Sequence, residues 1–196
     1  GKTGSGKTKI LNILKDNNYQ IVDLEFLANH RGSTFGSLGM KKQPSNEQFE
    51  NLIAYVLYKF DFNKEIFIEA ESANIGRCRV PYELFKKMKI SPRIEIIRSE
   101  RYRIKELIST YSVFSKEQLI ESILRIKKRL GPQRTALAIK SVENENWSKV
   151  CKAVLDYYDK CYEFELKTKT DVKKLSINAI EEDKIIPLMK KNGLIN

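Results

Sequence analysis

The opening stretch, GKTGSGKTKILNIL, limits what this chain can fold into more than any other segment. Gly1, Gly6, Lys7 and Thr8 fit the pattern G-x-x-x-x-G-K-[ST], with Gly4 and Ser5 adding small residues between them. Glycines let such a loop take positive φ and turn successive backbone N–H groups inward onto phosphate oxygens. The lysine brings a point charge to the terminal phosphates, and the threonine hydroxyl reaches a Mg²⁺ ion. Ile10, Leu11 and Leu14 recur at helical spacing, which predicts a helix over about 7–15 whose positive dipole end faces the same anion. The predicted phosphate-binding residues are Thr3, Gly4, Ser5, Gly6, Lys7 and Thr8. A loop of this kind is normally launched from a buried strand. The expectation is therefore a longer natural protein in which a few apolar residues precede Gly1.

Apolar periodicity beyond the loop alternates between strand and helix. Strands are predicted at 19–25, 65–72 and 92–99, each a short apolar run, the first two ending in acids. Helices are predicted at 46–60, with Ser45 as N-cap, and at 81–88, with Pro81 in the first turn. Further helices follow at about 100–111, 116–130, 133–143, 147–161 and 178–191, with a last strand at 162–168. Strands alternating with helices imply a mostly parallel sheet covered on both faces. The expected fold is a phosphate-loop NTPase-like three-layer α/β sandwich with a helical, basic C-terminal half. Its organisation would be a phosphate-loop core over 1–100, a helical region packed on that core over 101–162 and a completing strand and helix over 163–196.

In such a sheet the ligand lies beyond the carboxyl ends of the strands. The loop after the first strand, DLEFLANHRGSTFG, contains Asp23, Glu25, the chain's one histidine, His30, and Arg31. The loop after the second contains Glu69, Glu71 and Ser72, then NIGRCR with Arg77 and Arg79, and RSERYR follows the third. Glu69, an acid closing a hydrophobic strand, suits Mg²⁺ held through water, so Thr8, Asp23 and Glu69 form the predicted metal set. His30 is either a proton donor or acceptor, a contact to a phosphate or base, or a loop-fixing hydrogen bonder. Arginine in these loops matches phosphate in two parallel hydrogen bonds.

Lysine and arginine outnumber aspartate and glutamate by 36 to 25, a net charge of +11, which points to a polyanionic partner. Arg98, Arg101, Arg103, Arg125, Lys127, Lys128, Arg129 and Arg134 form the predicted RNA-backbone track, while the aromatics Trp147, Tyr157, Tyr158 and Tyr162 read mainly as core. Three widely spaced cysteines, Cys78, Cys151 and Cys161, match neither a disulfide framework nor a paired metal motif and suit a reducing cytoplasm. Cys78 stands between two arginines but reads as a packing residue rather than a reactive thiolate. No stretch approaches the roughly 20 apolar residues of a membrane span.

GKTGSGKT, DLEFLANHRGSTFGSLG, QPSNEQFEN, IEAESANIGR with VPYELFKKM, and later KKRLG and LDYYDKCY together resemble the phosphate-loop domain of tRNA 2-selenouridine synthase, from Gly1 to about Tyr162. LANHRGSTFG and ESANIGR carry that resemblance far more specifically than the phosphate loop does. The resemblance implies a transferase acting on the tRNA wobble uridine. There 2-thiouridine is S-geranylated with geranyl diphosphate, and selenium from selenophosphate then replaces the geranylthio group. It further implies that Gly4, Gly6, Lys7 and Thr8 hold a diphosphate or nucleotide, ATP or GTP included, with His30, Arg31, Glu69, Glu71 and Arg77 as the catalytic surroundings. The bacterial family enzyme has a rhodanese domain ahead of this one; its absence here resembles a split form that works with a separate rhodanese-domain protein. Neither DNA nor a membrane is an expected partner. Two other readings suit the same residues: a phosphate-loop small-molecule kinase, and a noncatalytic, nucleotide-dependent tRNA-binding module.

Overall fold

The computed structural model describes residues 1–167 and 171–196, which divide into two compact units. One comprises residues 7–93 and 180–196, the other residues 1–6 and 94–179.

The first unit starts with helix α1 (Lys7–Asp16), which buries Ile10, Leu11, Ile13 and Leu14. Strand β1 (Gln20–Val22) is shorter than the run 19–25 suggests. The Asp23 carboxylate accepts a 2.8 Å hydrogen bond from the Phe26 N–H, capping the short helix α2 (Leu24–Leu27) and turning the chain out of the strand. Glu25 thus stands on a helical turn. Helix α3 (Asn46–Leu57) begins at its predicted cap, with Ser45 Oγ accepting from the Gln48 N–H at 3.1 Å. Strand β2 (Ile66–Ile68) pairs parallel with β1, Gln20 opposite Ile66 and Val22 opposite Ile68. This register puts Asp23 and Glu69 each one residue past the carboxyl end of its strand.

NIGRCR is not an open loop. Strands β3 (Asn74–Ile75) and β4 (Cys78–Arg79) form an antiparallel hairpin, because alternation sends Ile75 and Cys78 into the core while the residues between them turn outside. Helix α4 (Tyr82–Ile90) follows, with Pro81 just ahead of its first residue. Val22, Leu24, Phe49, Ile53, Ile75, Cys78, Val80 and Met88 make one continuous core.

The second unit takes in strand β5 (Arg93–Ile97), apart from its first residue, and helices α5 (Glu100–Tyr111), α6 (Lys116–Arg125), α7 (Lys127–Leu130), α8 (Pro132–Glu143) and α9 (Trp147–Leu166). The helix expected over 116–130 is interrupted at Ile126, whose backbone leaves helical geometry; α6 itself is set by a capping box between Ser115 and Gln118. Residues 162–166, expected as strand, continue α9, and Thr168 lies outside the described residues. One helical turn there aligns Asp159 and Glu163 on a face where both pair with Lys2, an arrangement a strand does not permit. The last strand is instead β6 (Val172–Ser176), paired with β5 and extended by the Ile177 N–H donating to the Ile97 carbonyl at 2.9 Å. Helix α10 (Glu182–Lys191), shorter than the expected 178–191, returns to the first unit, buries Ile185 and Met189 and packs on α1.

Among the described residues the strands therefore form three two-stranded sheets, and β1–β2 is the pair shown to be parallel. Strands of two to five residues, two of them spent on a local hairpin, make this a mixed α/β architecture dominated by helices. No helix among the described residues is long and apolar enough to cross a membrane.

Candidate functional site

In the first unit, the carboxyl ends of β1 and β2 bring four acids around the start of α1. Thr8 Oγ1 lies 3.4 Å from Glu25 Oε2 and 3.5 Å from Glu69 Oε1, at the long limit of hydrogen bonding. Glu69, only 3% exposed, accepts from the Glu25 backbone N–H at 3.0 Å through its other oxygen. Gly32 takes a φ of +65°, and a Cβ there would lie 2.7 Å from Glu25 Oε1 and 2.9 Å from Glu71 Oε2. Any side chain at that position would push into both carboxylates.

Crowded acids are hard to ionise. Burial, then the charges of Glu25 and Asp23, push the Glu69 carboxyl up to about 9 against a hydrogen bond from the Glu25 N–H that lowers it. Burial and the Glu71 charge push Glu25 up to about 7, with Lys7 pulling the other way. Asp23 is raised as well, by burial above all, although the Phe26 N–H stabilises its charge. A cation placed among these oxygens would reverse the balance.

The other expected catalytic residues of this unit scatter. His30 is 8% exposed, its Nδ1 has no hydrogen-bond partner, and burial lowers its pKa. Its backbone N–H donates to the Glu25 carbonyl at 3.0 Å, which ties it to α2. Arg31 closes its own loop, its guanidinium donating to the Leu38 carbonyl at 2.7 Å and its N–H to the Gly36 carbonyl at 3.0 Å. Arg77, at the exposed tip of the hairpin, bonds the backbone and side chain of Gln43 and lines an open groove with Lys42, Pro44, Ser45 and Asn46. Thr8, Asp23, Glu69 and Glu71 are thus the candidates that the structure gathers, while Arg31 and Arg77 are engaged in bracing loops. Cys78 is a packing residue: it is fully buried, and desolvation pushes its thiol up more than Arg77 pulls it down. Glu25, which faces Thr8 directly, is the acid that the candidate set omits. Its signal was the D-L-E spacing, two acids two residues apart just beyond an apolar run, which reads as one strand face but places Glu25 on a helix.

In the second unit, Ser5 is 1% exposed and its Oγ has no hydrogen-bond partner. A buried, unsatisfied hydroxyl in the phosphate-loop sequence fits an anion-binding role. Two residues of the expected RNA track are not surface groups. Arg103 is 4% exposed, its fork held by Asp159, and Arg98 donates to the Asn178 carbonyl and pairs with Glu106 at 3.3 Å. Both lie on or beside α5 with carboxylates in reach, so their charges are neutralised internally. Arg101, Arg125, Lys127, Lys128 and Arg129 are exposed, Arg125 pairing with Glu121 and Arg129 bonding the Tyr157 hydroxyl at 3.3 Å, while Arg134 is half-buried.

Among the described residues no three His, Cys, Asp or Glu side chains form a set that could hold a metal ion alone. Mg²⁺ keeps several waters and takes one or two carboxylates together with substrate phosphates, so it does not require such a set. Thr8 Oγ1 and the Glu69 carboxylate are hard oxygen donors and fit it. Glu25 Oε2 lies 3.4 Å from Thr8 Oγ1, whereas an Asp23 oxygen is engaged as the cap of α2.

A mixed α/β fold with a glycine-rich, lysine-bearing loop leading into α1, and an acid past each parallel strand, is consistent with a P-loop-like AAA domain. The chain belongs to the tRNA 2-selenouridine synthase family: the family's AAA domain matches residues 1–181. Among curated relatives named tRNA 2-selenouridine synthase, that of Marinobacter nauticus is 33% identical over 86% of this chain and 53% of its own length. That of Pseudomonas fluorescens is 34% identical over 86% and 53% of the two chains, and that of Pseudomonas putida 30% identical over 92% and 57%. The chain spans about half the length of the curated relatives it matches. No solved structure matches it.

Proposed function

We propose that this chain is the phosphate-loop component of a tRNA-modifying transferase that converts wobble 2-thiouridine to 2-selenouridine through an S-geranyl intermediate. Geranyl diphosphate and then selenophosphate are the co-substrates, a rhodanese-domain protein is the partner, and the cytoplasm is the site of action, with tRNA and not DNA as the nucleic acid. The corresponding fold reading is the full three-layer P-loop sandwich. The observation that carries the proposal is the convergence of Thr8, Glu25 and Glu69 at the start of α1, in a chain whose family is named for this reaction.

The residues divide the work by their chemistry. Backbone N–H groups of Thr3–Gly6 and the α1 N-terminus would hold the diphosphate, and Lys7 would neutralise the charge that develops as it leaves. Thr8, Glu69 and, of the acids next to it, Glu25 would hold Mg²⁺, which supplies further charge neutralisation on the diphosphate when bound. Asp23 would orient α2, and through it Glu25. His30, with a free ring nitrogen inside the protein, is available to hold or accept a proton, and Glu71 closes the carboxylate cluster over Gly32. ATP or GTP remains an alternative occupant for the same loop. Arg101, Arg125, Lys127, Lys128, Arg129 and Arg134 would meet the tRNA backbone, and an exposed anticodon base is reachable without melting a duplex.

The test is incubation of the protein with thiolated tRNA, Mg²⁺ and geranyl diphosphate, with and without selenophosphate and a rhodanese partner, followed by nucleoside mass spectrometry. Geranylated and then selenated uridine is the expected product. If none forms in any combination, the proposal fails. ATP turnover on a small acceptor without tRNA would establish a kinase instead, and salt-sensitive tRNA binding with unchanged thiouridine a binding module.

A further inference from the structure

We infer that Arg103 is a positioning residue for the phosphate loop, which it holds by its backbone at Thr3 while Asp159 of α9 anchors the guanidinium. The inference rests on the reading of Gly1–Thr8 as a phosphate-binding stretch. Arg103 Nε donates to the Thr3 carbonyl at 2.8 Å, and its two terminal nitrogens fork onto Asp159 at 2.8 and 2.5 Å. Each of the three guanidinium nitrogens thereby makes a hydrogen bond, which fixes its plane and with it the direction of the Thr3 carbonyl. In a trans peptide the C=O and the following N–H point opposite ways. Pinning the Thr3 oxygen to Arg103 therefore aims the Gly4 N–H away from α5, toward the concave side on which such loops cradle an anion.

Three further observations make this a built arrangement. Gly4 takes a φ of +78°, and a Cβ there would lie 2.9 Å from the Arg103 carbonyl oxygen and 3.2 Å from Leu107 Cγ, so the loop is seated directly on α5. Lys2 forms a second arm to the same helix as Asp159, its Nζ 3.5 Å from Asp159 and 2.5 Å from Glu163 one turn on. The Ser5 N–H closes the turn onto the Lys2 carbonyl at 3.1 Å. The pair is only partly buried, with Asp159 23% exposed, and such ion pairs add little to stability compared with apolar side chains of similar volume, so stability alone is a poor account of an arginine here. Backbone orientation accounts for it.

The test measures binding of inorganic pyrophosphate with Mg²⁺ by calorimetry, and tRNA binding by filter retention, for wild type, Arg103→Lys, Asp159→Asn, Lys2→Ala and Lys7→Ala. Lysine keeps the charge of Arg103 without the fork, and asparagine keeps the shape of Asp159 without the charge; both should weaken pyrophosphate binding about tenfold or more. Lys2→Ala should weaken it less, and tRNA affinity should stay within about twofold of wild type throughout. A purely structural Arg103 would lower the melting temperature yet leave the affinity of the folded protein at the wild-type value, which overturns the inference. Loss of binding in Lys7→Ala with none in Arg103→Lys and Asp159→Asn overturns it while sparing the phosphate reading. Wild-type binding by Lys7→Ala, or no binding by wild type, overturns that reading and the inference with it. Should Arg103→Lys fail to fold, the nearly isosteric Asp159→Asn decides alone.

Discussion

At Glu69 and Glu25, burial and neighbouring acids raise the carboxyls to about 9 and about 7, and the consequence is a pH dependence of stability with a definite sign. A carboxyl with a raised folded pKa binds its proton more tightly in the folded state than in the unfolded one, so the stability it contributes is present below its ordinary value and lost as pH rises through the folded one. Without divalent cation the melting temperature should therefore fall from pH 5 to pH 9, and Glu69→Gln should flatten the upper part of that fall. A profile flat between those limits for wild type would contradict the carboxylate cluster. Mg²⁺ should restore stability at pH 8 in wild type, since a ligand of the folded state stabilises it by mass action. Thiols give a second residue-scale expectation. Cys78 is fully buried and Cys161 exposed, so a thiol reagent should label Cys161 rapidly in the native protein and Cys78 only on unfolding, as peptide mass spectrometry would show.

Between elements, Gln43 does the joining that short strands do not. Its amide donates to the Ala28 and Ile75 carbonyls at 3.0 and 2.9 Å, and its oxygen accepts from the Arg77 N–H at 3.0 Å. One side chain thus links the loop after α2 to the β3–β4 hairpin. Gln43→Ala leaves these backbone groups without partners and should cost about 2 kcal/mol in urea unfolding. Ser45→Ala, which removes the α3 cap two residues on, should cost about 1 kcal/mol. Equal losses in the two variants would mean that Gln43 carries no more than one ordinary bond. QPSNEQFEN showed the cap because N-cap chemistry is local, a serine oxygen and an N–H three residues away. The role of Gln43 was not legible, because its partners lie 15 and 32 residues distant in the chain and glutamine has no preference that announces them.

For the whole molecule, a net charge of +11 makes tRNA affinity a matter of ionic strength. Neutralising Arg125, Lys127, Lys128 and Arg129 together should reduce the slope of log affinity against log salt by about one for each phosphate no longer bound. Lys7→Ala should leave the slope unchanged. An unchanged slope in the fourfold variant would move the RNA track elsewhere. Arg98 and Arg103 are excluded from that set by their internal carboxylates, which a count of basic residues cannot see.

By itself the sequence determined the phosphate-loop motif, the helix behind it, the acids past β1 and β2, most helix positions and the family, all of which rest on spacing within a few residues or on segments read as they stand. Tertiary structure alone decided that Glu25 faces Thr8, that Arg103 bonds Thr3 and Asp159, that residues 162–166 remain helical and that the final strand lies at Val172–Ser176. The physical reason is the same in each case. A charge or an apolar run specifies what a residue can pair with, and only the folded chain supplies the partner, 17 residues away for Glu25 and Thr8 and 100 for Arg103 and Thr3.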